Sequence, residues 1–155
     1  MKYRAGRPSD ARNIASLILS FQPLLTIEPS GAGAEQYLKS VSEHAEREYL
    51  ESPRYRYLIA EDGQFFAGFI ALRDNGHLFH LFVDFRYQRQ GLAFRLWQEV
   101  RDEALTLGNS GVFTVNSSLN AIPVYRSFGF EPFAEVTSIH GISFLPMRLR
   151  TSTDA

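Results

Sequence analysis

Apolar positions recur at helical spacing in four stretches of this chain. The first stretch follows the N-cap signal Ser9-Asp10, and its apolar side chains recur three or four residues apart, at Ile14, Leu17, Ile18 and Phe21. A second stripe predicts a helix over residues 34–50, and a third predicts one over 92–107, closed by Gly108. A fourth helix is expected from the cap signal Asn116-Ser117-Ser118 to Phe128.

Three runs rich in β-branched and aromatic residues predict strands at 55–61, 65–73 and 77–83. Asp62-Gly63 and Asp74-Asn75-Gly76 separate them, and such hairpin signals indicate an antiparallel meander. The continuously apolar run 111–115 is typical of a strand buried on both faces, and 130–136 and 142–149 are expected to close the sheet as a pair. The pattern therefore predicts a mixed α/β fold, with a single domain over 1–150 and a polar tail at 151–155.

Composition narrows the classes of function. A net charge of -1 is not that of a nucleic-acid binder with a basic surface. The chain has no cysteine, which excludes disulfides, thiolate metal sites and cysteine nucleophiles. Residues 1–7 lack the apolar core of a signal peptide, and no apolar run approaches membrane-spanning length. We therefore expect a cytoplasmic protein with no nucleic-acid or membrane partner. No metal is expected either, since His44, His77 and His140 share no ligand spacing.

The junction between the apolar run ending at Val83 and the helix starting near Leu92 carries the first chemical signal. Backbone amides at a helix N-terminus are unpaired and partially positive, so they can hold a pyrophosphate, and Gly91 allows close approach. The stretch is not a Walker loop, because no Gly-Lys-Ser/Thr occurs, and it lacks the glycine triplet of dinucleotide-binding folds. Alone it is weak evidence, since any strand-to-helix turn can need a flexible glycine.

A second motif lies about thirty residues further on, at Val124-Tyr125-Arg126-Ser127-Phe128-Gly129-Phe130. With Gln88-Arg89-Gln90-Gly91-Leu92-Ala93, it resembles the GNAT superfamily of acyl-CoA-dependent N-acyltransferases. The earlier stretch matches that family's [Gln/Arg]-x-x-Gly-x-[Gly/Ala] loop, and the later one its Tyr-x-x-x-Gly-Phe segment. The resemblance covers nearly the whole chain. It implies a mixed, mostly antiparallel central sheet flanked by about four helices.

The resemblance also implies acetyl-CoA as the acyl donor, without a metal. The strand before the loop would splay from its neighbour and hold the donor through Leu81, Phe82 and Val83. The pyrophosphate would lie on the loop, formed by Gln88, Arg89, Gln90, Gly91, Leu92 and Ala93, and charge near the ribose phosphate could come from Arg86, Arg89 and Arg95. Many family members have an asparagine where this chain has Ser118, which makes that contact less secure. Asn116 and Asn120 could substitute for it.

The implied reaction is direct attack of a primary amine on the thioester. Tyr125 is then expected to donate a proton to the CoA thiolate. The alternative is a packing role, in which the ring is buried and its hydroxyl contacts water. His80 is the first candidate base and Glu61 the second. Strand alternation predicts His80 and Phe82 on one sheet face and Leu81 with Val83 on the other. A purely structural histidine remains the alternative for His80.

The acceptor is expected to be a small-molecule or peptide amine. In the family, the loop over 22–34 and the final hairpin line its pocket, so Phe21, Tyr37 and Phe144 are candidate contacts. Residues 28–51 hold six acids against two bases, which predicts a cationic acceptor if Glu35 and Glu43 face the pocket, and otherwise a solvated helix face. A homodimer is left open. The alternative function is an acyl-CoA-binding regulatory module without transfer activity.

Overall fold

A computed structural model describes residues 1–151, and the part of the expected polar tail beyond Thr151 lies outside it. The strands are β1 (Lys2–Ala5), β2 (Tyr55–Asp62), β3 (Phe65–Arg73), β4 (His77–Val83), β5 (Val112–Ser118), β6 (Glu131–Pro132), β7 (Thr137–Ile139) and β8 (Ile142–Arg150). The helices are α1 (Ala11–Ser20), α2 (Gln22–Leu25), α3 (Glu35–Ser40), α4 (Glu43–Glu51), α5 (Leu92–Thr106) and α6 (Ile122–Ser127). None within residues 1–151 is long and apolar enough to cross a membrane.

The strands form one sheet in the order β1-β2-β3-β4-β5-β8-β6, with β7 also paired to β8. Every described pair of neighbouring strands is antiparallel except β4 and β5, which run parallel. The predicted fold class, a mixed and mostly antiparallel α/β sheet flanked by helices, is therefore confirmed. The three-strand meander over β2, β3 and β4 follows the predicted hairpin signals.

Several elements differ from the predicted pattern. The expected strand over 130–136 is reduced to β6 at Glu131–Pro132, and β7 follows at Thr137–Ile139. The expected helix over 34–50 is two helices, because the chain breaks at Val41 and the Ser42 side chain then caps α4 by accepting from the Ala45 N–H. Strand β5 extends to Ser118, so α6 begins only at Ile122. Nor is β5 buried on both faces: its residues alternate between buried and more exposed positions, because one face packs on the core and the other does not.

Two apolar cores cover the two faces of the sheet. On one face α5 packs through Leu96, Trp97 and Val100, and Leu81 and Val83 of β4 lie with this core. On the other face α1 packs on β3 and β4, α4 packs on β2, and Phe82 joins that core. The predicted alternation along β4 is thus confirmed from Leu81 to Val83. The register between β3 and β4 shifts between Ala71 and Leu72, which leaves Phe79 as one extra, unpaired residue of β4. Because of this bulge, Phe79 also joins the second core.

Strands β4 and β5 stay together only at their beginning. Their register pairs are His77 with Thr114 and Leu78 with Val115, and beyond these positions the strands part. β5 remains held on its other side by β8 along its whole length, and β4 by β3. The facing backbone edges of the two strands are therefore unpaired from Phe79 and Asn116 onward, which opens a wedge in the middle of the sheet.

The closed end of this wedge contains a titrating group that should affect stability. Burial, with a smaller contribution from the Arg73 charge, lowers the pKa of His77 to about 4, while Asp74 opposes the shift. In the unfolded chain His77 takes up a proton near pH 6.5, whereas in the folded chain it stays neutral until about pH 4. The free energy of unfolding therefore falls as the pH drops from about 6.5 towards 4. We expect His77→Asn, which keeps a polar group near Thr114, to lose less melting temperature than the parent between pH 7 and pH 5. Parallel profiles of melting temperature against pH for the two proteins would contradict this assignment.

Candidate active site

The wedge opens into a cavity of about 930 Å³ that runs past the ends of β4 and β5. One end is formed by the turn that leads into α5, and the middle by β4, β5 and α6. The other end is lined by aromatic side chains from α1, α3, α4 and the meander. This volume lies in the range of ligand sites for small molecules and cofactors.

The turn into α5 presents a row of free backbone amides. Gly91 is the N-cap of α5 with φ +78°, and Arg89 also has a positive φ of +61°. The first backbone bond of α5 runs from the Arg95 N–H to the Gly91 carbonyl oxygen, and within residues 1–151 no amide from Arg89 to Phe94 has a partner. A Cβ added at Gly91 would meet nothing within 4 Å, so the space above it is open. Free amides, open space and the N-terminus of a 15-residue helix together form an anion-binding cradle.

Most of the predicted loop residues lie at this cradle. The cavity is lined by Gln88, Arg89, Gly91, Leu92 and Ala93, whereas Gln90 turns its side-chain amide to the Arg86 carbonyl oxygen at 3.3 Å. Gln88 donates to the carbonyl oxygen of Val83 at 3.1 Å and so ties the loop to the end of β4.

Only one of the three arginines considered for a phosphate contact lines the cavity, namely Arg89. Arg86 pairs with Asp84 at 3.2 Å and lies over the Phe65 ring. Arg95 pairs with Glu99 at 3.0 Å and lies over Tyr3. The structure therefore does not bring Arg86 or Arg95 to the cradle.

The middle of the cavity brings together the predicted donor-binding residues. Leu81, Phe82 and Val83 line it from β4, and Ser118 lines it from the end of β5. The Ser118 hydroxyl makes no capping bond to the turn that follows, so it is free to contact a ligand. Asn116 and Asn120 also line the cavity on the β5 side.

Tyr125 lies on α6 across from β4 and is 6% exposed. Its ring packs edge-on against Phe128 and Phe130, at centroid distances of 6.0 and 5.8 Å, and it lines the cavity. Burial raises the pKa of the Tyr125 phenol above its ordinary value near 10, so the hydroxyl keeps its proton at neutral pH. No described residue between 1 and 151 shares a side-chain hydrogen bond with this hydroxyl.

A buried hydrogen-bonded triad fixes His80. Its Nε2 lies 2.9 Å from Oε2 of Glu46, and the Tyr57 hydroxyl donates to Oε1 of the same carboxylate at 2.6 Å. Glu46 is fully buried and His80 is 7% exposed. Because a carboxylate only accepts, the proton of this bond belongs to Nε2, and in the neutral imidazole Nδ1 is the nitrogen with the lone pair. His80 lines the cavity, and its Nδ1 has no partner among residues 1–151.

Sequence reasoning missed Glu46, which it counted only among the acids of its segment. A signal was present: Glu46 lies three and four residues before Tyr49 and Leu50, on the inward stripe of α4. A charged residue on such a stripe is either paired inside the protein or functional.

Glu61 does not reach the cavity. Its carboxylate accepts from Nε of Arg4 at 2.9 Å, and Arg4 also donates to both carboxylate oxygens of Asp10. This guanidinium lowers the pKa of Glu61, which makes it a poorer base. The structure thus corrects the expectation that Glu61 is an alternative base, because it ties Glu61 to β1.

The far end of the cavity also differs from expectation. Phe21, Tyr37 and Phe144 line it as anticipated, but Glu35 and Glu43 do not, and no carboxylate of residues 1–151 does. The Glu35 side chain instead accepts from the backbone N–H of Gly33. A cationic acceptor was expected only if the acidic helix face turned to the pocket. That condition is not met.

Comparison with family models decides what kind of domain this is. The model described as "Acetyltransferase (GNAT) domain" matches residues 25–151, which include the cradle, Tyr125 and the triad. The chain belongs to the GNAT acetyltransferase family. A search of curated proteins gave no match.

Solved structures show the same GNAT fold over nearly the whole chain. A GCN5-related N-acetyltransferase from Rhodopseudomonas palustris is 21% identical with a TM-score of 0.74, covering 97% of this chain and 95% of that one. The ribosomal-protein-S18-alanine N-acetyltransferase from Escherichia coli is 21% identical with a TM-score of 0.68, covering 99% and 96%. The PaiA N-acetyltransferase from Thermoplasma acidophilum, solved in complex with coenzyme A, is 16% identical with a TM-score of 0.71, covering 97% and 100%.

The cradle of this GNAT domain can be tested by filling it. We expect Gly91→Trp to abolish binding of acetyl-CoA, because the indole would occupy the open space that the free amides face. Gly63→Trp is the matched control, since Gly63 also has a positive φ and open surroundings but lies in the β2–β3 turn. Each variant carries a left-handed backbone cost of about 1–2 kcal/mol. Isothermal titration should show binding lost only at Gly91, and equal affinities in the two variants would refute the cradle.

Proposed function

We propose that this GNAT domain transfers an acetyl group from acetyl-CoA to a primary amine by direct attack. The observation that carries the proposal is one continuous cavity with free amides at one end and Tyr125 and His80 in its middle. The coenzyme A complex of the Thermoplasma acidophilum neighbour supports the choice of donor.

The donor would lie along the wedge between β4 and β5. The amides from Arg89 to Ala93 would hold the pyrophosphate, and the unpaired backbone edge of Leu81, Phe82 and Val83 would bond the amides of the pantetheine arm. Ser118 replaces the family's asparagine and would add a hydroxyl contact from the β5 side. Acetyl-CoA fits this lining because its pyrophosphate and its pantetheine amides would each meet unpaired backbone groups.

Tyr125 would complete the departure of the thiol. The nitrogen of the free amine attacks the thioester carbonyl carbon, the C–S bond breaks, and the sulfur takes the proton of the Tyr125 hydroxyl. The nitrogen, positively charged after the attack, gives up one proton to water as the amide forms. Burial keeps that proton on Tyr125 in the resting protein, and the thiolate that forms beside the hydroxyl, in the same desolvated surroundings, would take it as the C–S bond breaks. The phenolate formed there is unfavourable in its apolar surroundings, so it should be reprotonated rapidly from solvent.

His80 would remove the proton from the amine. A primary amine of pKa about 10 is almost fully protonated at neutral pH, and reaching the free base costs about 4 kcal/mol. His80 lines the cavity, Glu46 holds its Nε2–H, and Nδ1 has no partner among residues 1–151, so in the neutral imidazole Nδ1 would offer its lone pair to the ammonium proton. Glu46 would act as a positioning residue that selects the tautomer of His80.

The function is tested by release of thiol from acetyl-CoA in the presence of primary amines. We expect amine-dependent release, with one acetylated product for each thiol. Binding of acetyl-CoA without any amine-dependent release would instead identify a regulatory module that has lost transfer activity.

Tyr125→Phe tests the proton donor within the same assay. The variant keeps the ring contacts with Phe128 and Phe130, so its affinity for acetyl-CoA should change little. Loss of a general acid should lower kcat by about 10²-fold. Arg126→Gln on the same helix serves as a control, because Arg126 is exposed and lies outside the cavity lining. A kcat for Tyr125→Phe equal to that of the parent would remove Tyr125 from the chemistry.

Glu46→Gln tests the positioning of His80. Since the Tyr57 hydroxyl donates to one oxygen, the glutamine amide should point its NH₂ group at Nε2 and force the proton onto Nδ1. We expect kcat to fall about 10²-fold with unchanged affinity for acetyl-CoA. The ¹⁵N shifts of the His80 ring should move from the Nε2–H to the Nδ1–H pattern. A lower kcat with an unchanged tautomer would show a packing role instead.

A further inference from the structure

The amine-binding end of the cavity combines aromatic rings with a single guanidinium. Tyr49, Tyr55 and Phe79 form a mutually packed group with centroid distances of 4.8–5.0 Å, and all three line the cavity. The Arg73 guanidinium lies over the Phe79 ring at 5.7 Å, and Arg73 lines the cavity too. We name these four residues the Arg73 pocket. It adjoins the triad, because the Phe79 and His80 rings are 4.1 Å apart.

Among residues 1–151, Arg73 has no carboxylate within hydrogen-bond distance. Its nearest acid is Asp74 at 3.9 Å, beyond hydrogen-bond distance. Asp74 is already engaged by Arg54, whose Nε and Nη2 donate to its two oxygens at 3.0 and 2.8 Å. The guanidinium lies over the Phe79 ring, and within residues 1–151 no acceptor takes a hydrogen bond from its N–H groups.

The charge along the cavity is one-sided. Within residues 1–151 its lining contains two arginines, Arg73 and Arg89, at opposite ends, and no carboxylate. Arg89 belongs to the phosphate cradle, so Arg73 is the charged group left for the acceptor. An acceptor with a second ammonium group would find no carboxylate in this lining, since the buried Glu46 spends both oxygens on Tyr57 and His80. It would also be repelled by Arg73, whereas a carboxylate could take two parallel N–H bonds.

We propose that the acceptor is an amine that also carries a carboxylate, with the carboxylate bound by Arg73 and an apolar spacer packed on the Arg73 pocket. This inference rests on the proposed function, since it places the reacting amine beside His80. One aromatic ring, Phe79, separates the guanidinium from His80, so the amine and carboxylate must be separated by several carbon atoms. An ω-amino carboxylate is the simplest compound of this class.

Three amines of matched length distinguish this acceptor from others: 6-aminohexanoate, hexylamine and 1,6-diaminohexane. We expect kcat/KM in the order carboxylate, neutral amine, diamine, with at least a tenfold difference between the first and last. Arg73→Gln should raise KM for 6-aminohexanoate at least tenfold and leave KM for hexylamine and the affinity for acetyl-CoA unchanged. Arg101→Gln is the control, because Arg101 lies on α5 outside the cavity.

Arg73→Glu adds a gain-of-function readout that misfolding cannot imitate. It should reverse the preference and make 1,6-diaminohexane the better acceptor. The proposal is overturned if the diamine equals or exceeds the carboxylate with the parent protein, or if KM for the carboxylate is insensitive to Arg73→Gln.

Calorimetric titration separates this proposal from the proposed function. If no amine releases thiol, yet 6-aminohexanoate binds the CoA-saturated protein and Arg73→Gln abolishes that binding, the transferase proposal fails and the carboxylate site stands. If thiol is released but 6-aminohexanoate neither reacts nor binds, the carboxylate site fails alone.

Discussion

The parting of β4 from β5 is the constraint on which the rest of the site depends. Two register pairs hold these parallel strands, and then the sheet opens. Unpaired backbone groups inside a protein are costly unless a partner satisfies them, so the opening is tolerated where a ligand or water can supply the bonds. The sheet survives the break because β5 is paired with β8 over seven register positions and β4 with β3 over six. The fold thus retains its rigidity and gains an edge to which a polar ligand can bind.

The same opening places groups from distant parts of the chain around one space. Tyr125 reaches it from α6, His80 from β4, and the free amides from the start of α5. The opening also affects the electrostatics of the site. The cavity is walled by apolar rings, where hydrogen bonds and charges act more strongly than in water. That is why Glu46 lies beneath His80 with both oxygens bonded: a buried carboxylate without those two donors would be expensive.

The sequence predicted features that depend on near neighbours. Gly91, the strand before it and the apolar stripe of α5 lie together in the chain, and the cradle followed from them. The break between α3 and α4 was missed because the apolar stripe continues through it, although Ser42 is a favourable N-cap. The partner of His80 was missed because it lies 34 residues away in the chain, on a helix whose packing no local pattern reveals. Glu61 was misjudged for the same reason, since Arg4 lies 57 residues from it.

Segment charge predicts the charge of a cavity poorly when the fold distributes the charges unevenly. Residues 28–51 carry six acids, and the inward one, Glu46, spends both carboxylate oxygens on Tyr57 and His80. Glu35 and Glu43 lie outside the cavity lining. The cost of desolvation explains why Glu35 and Glu43 stay outside the cavity and Glu46 is paired. A carboxylate turned inward needs hydrogen-bond donors, and an aromatic pocket supplies few of them. Arg73 is in the opposite situation: Arg54 occupies Asp74, so the N–H groups of Arg73 at the cavity wall have no partner in the described part of the chain. An acidic segment and an anion-accepting cavity are therefore compatible in one small domain.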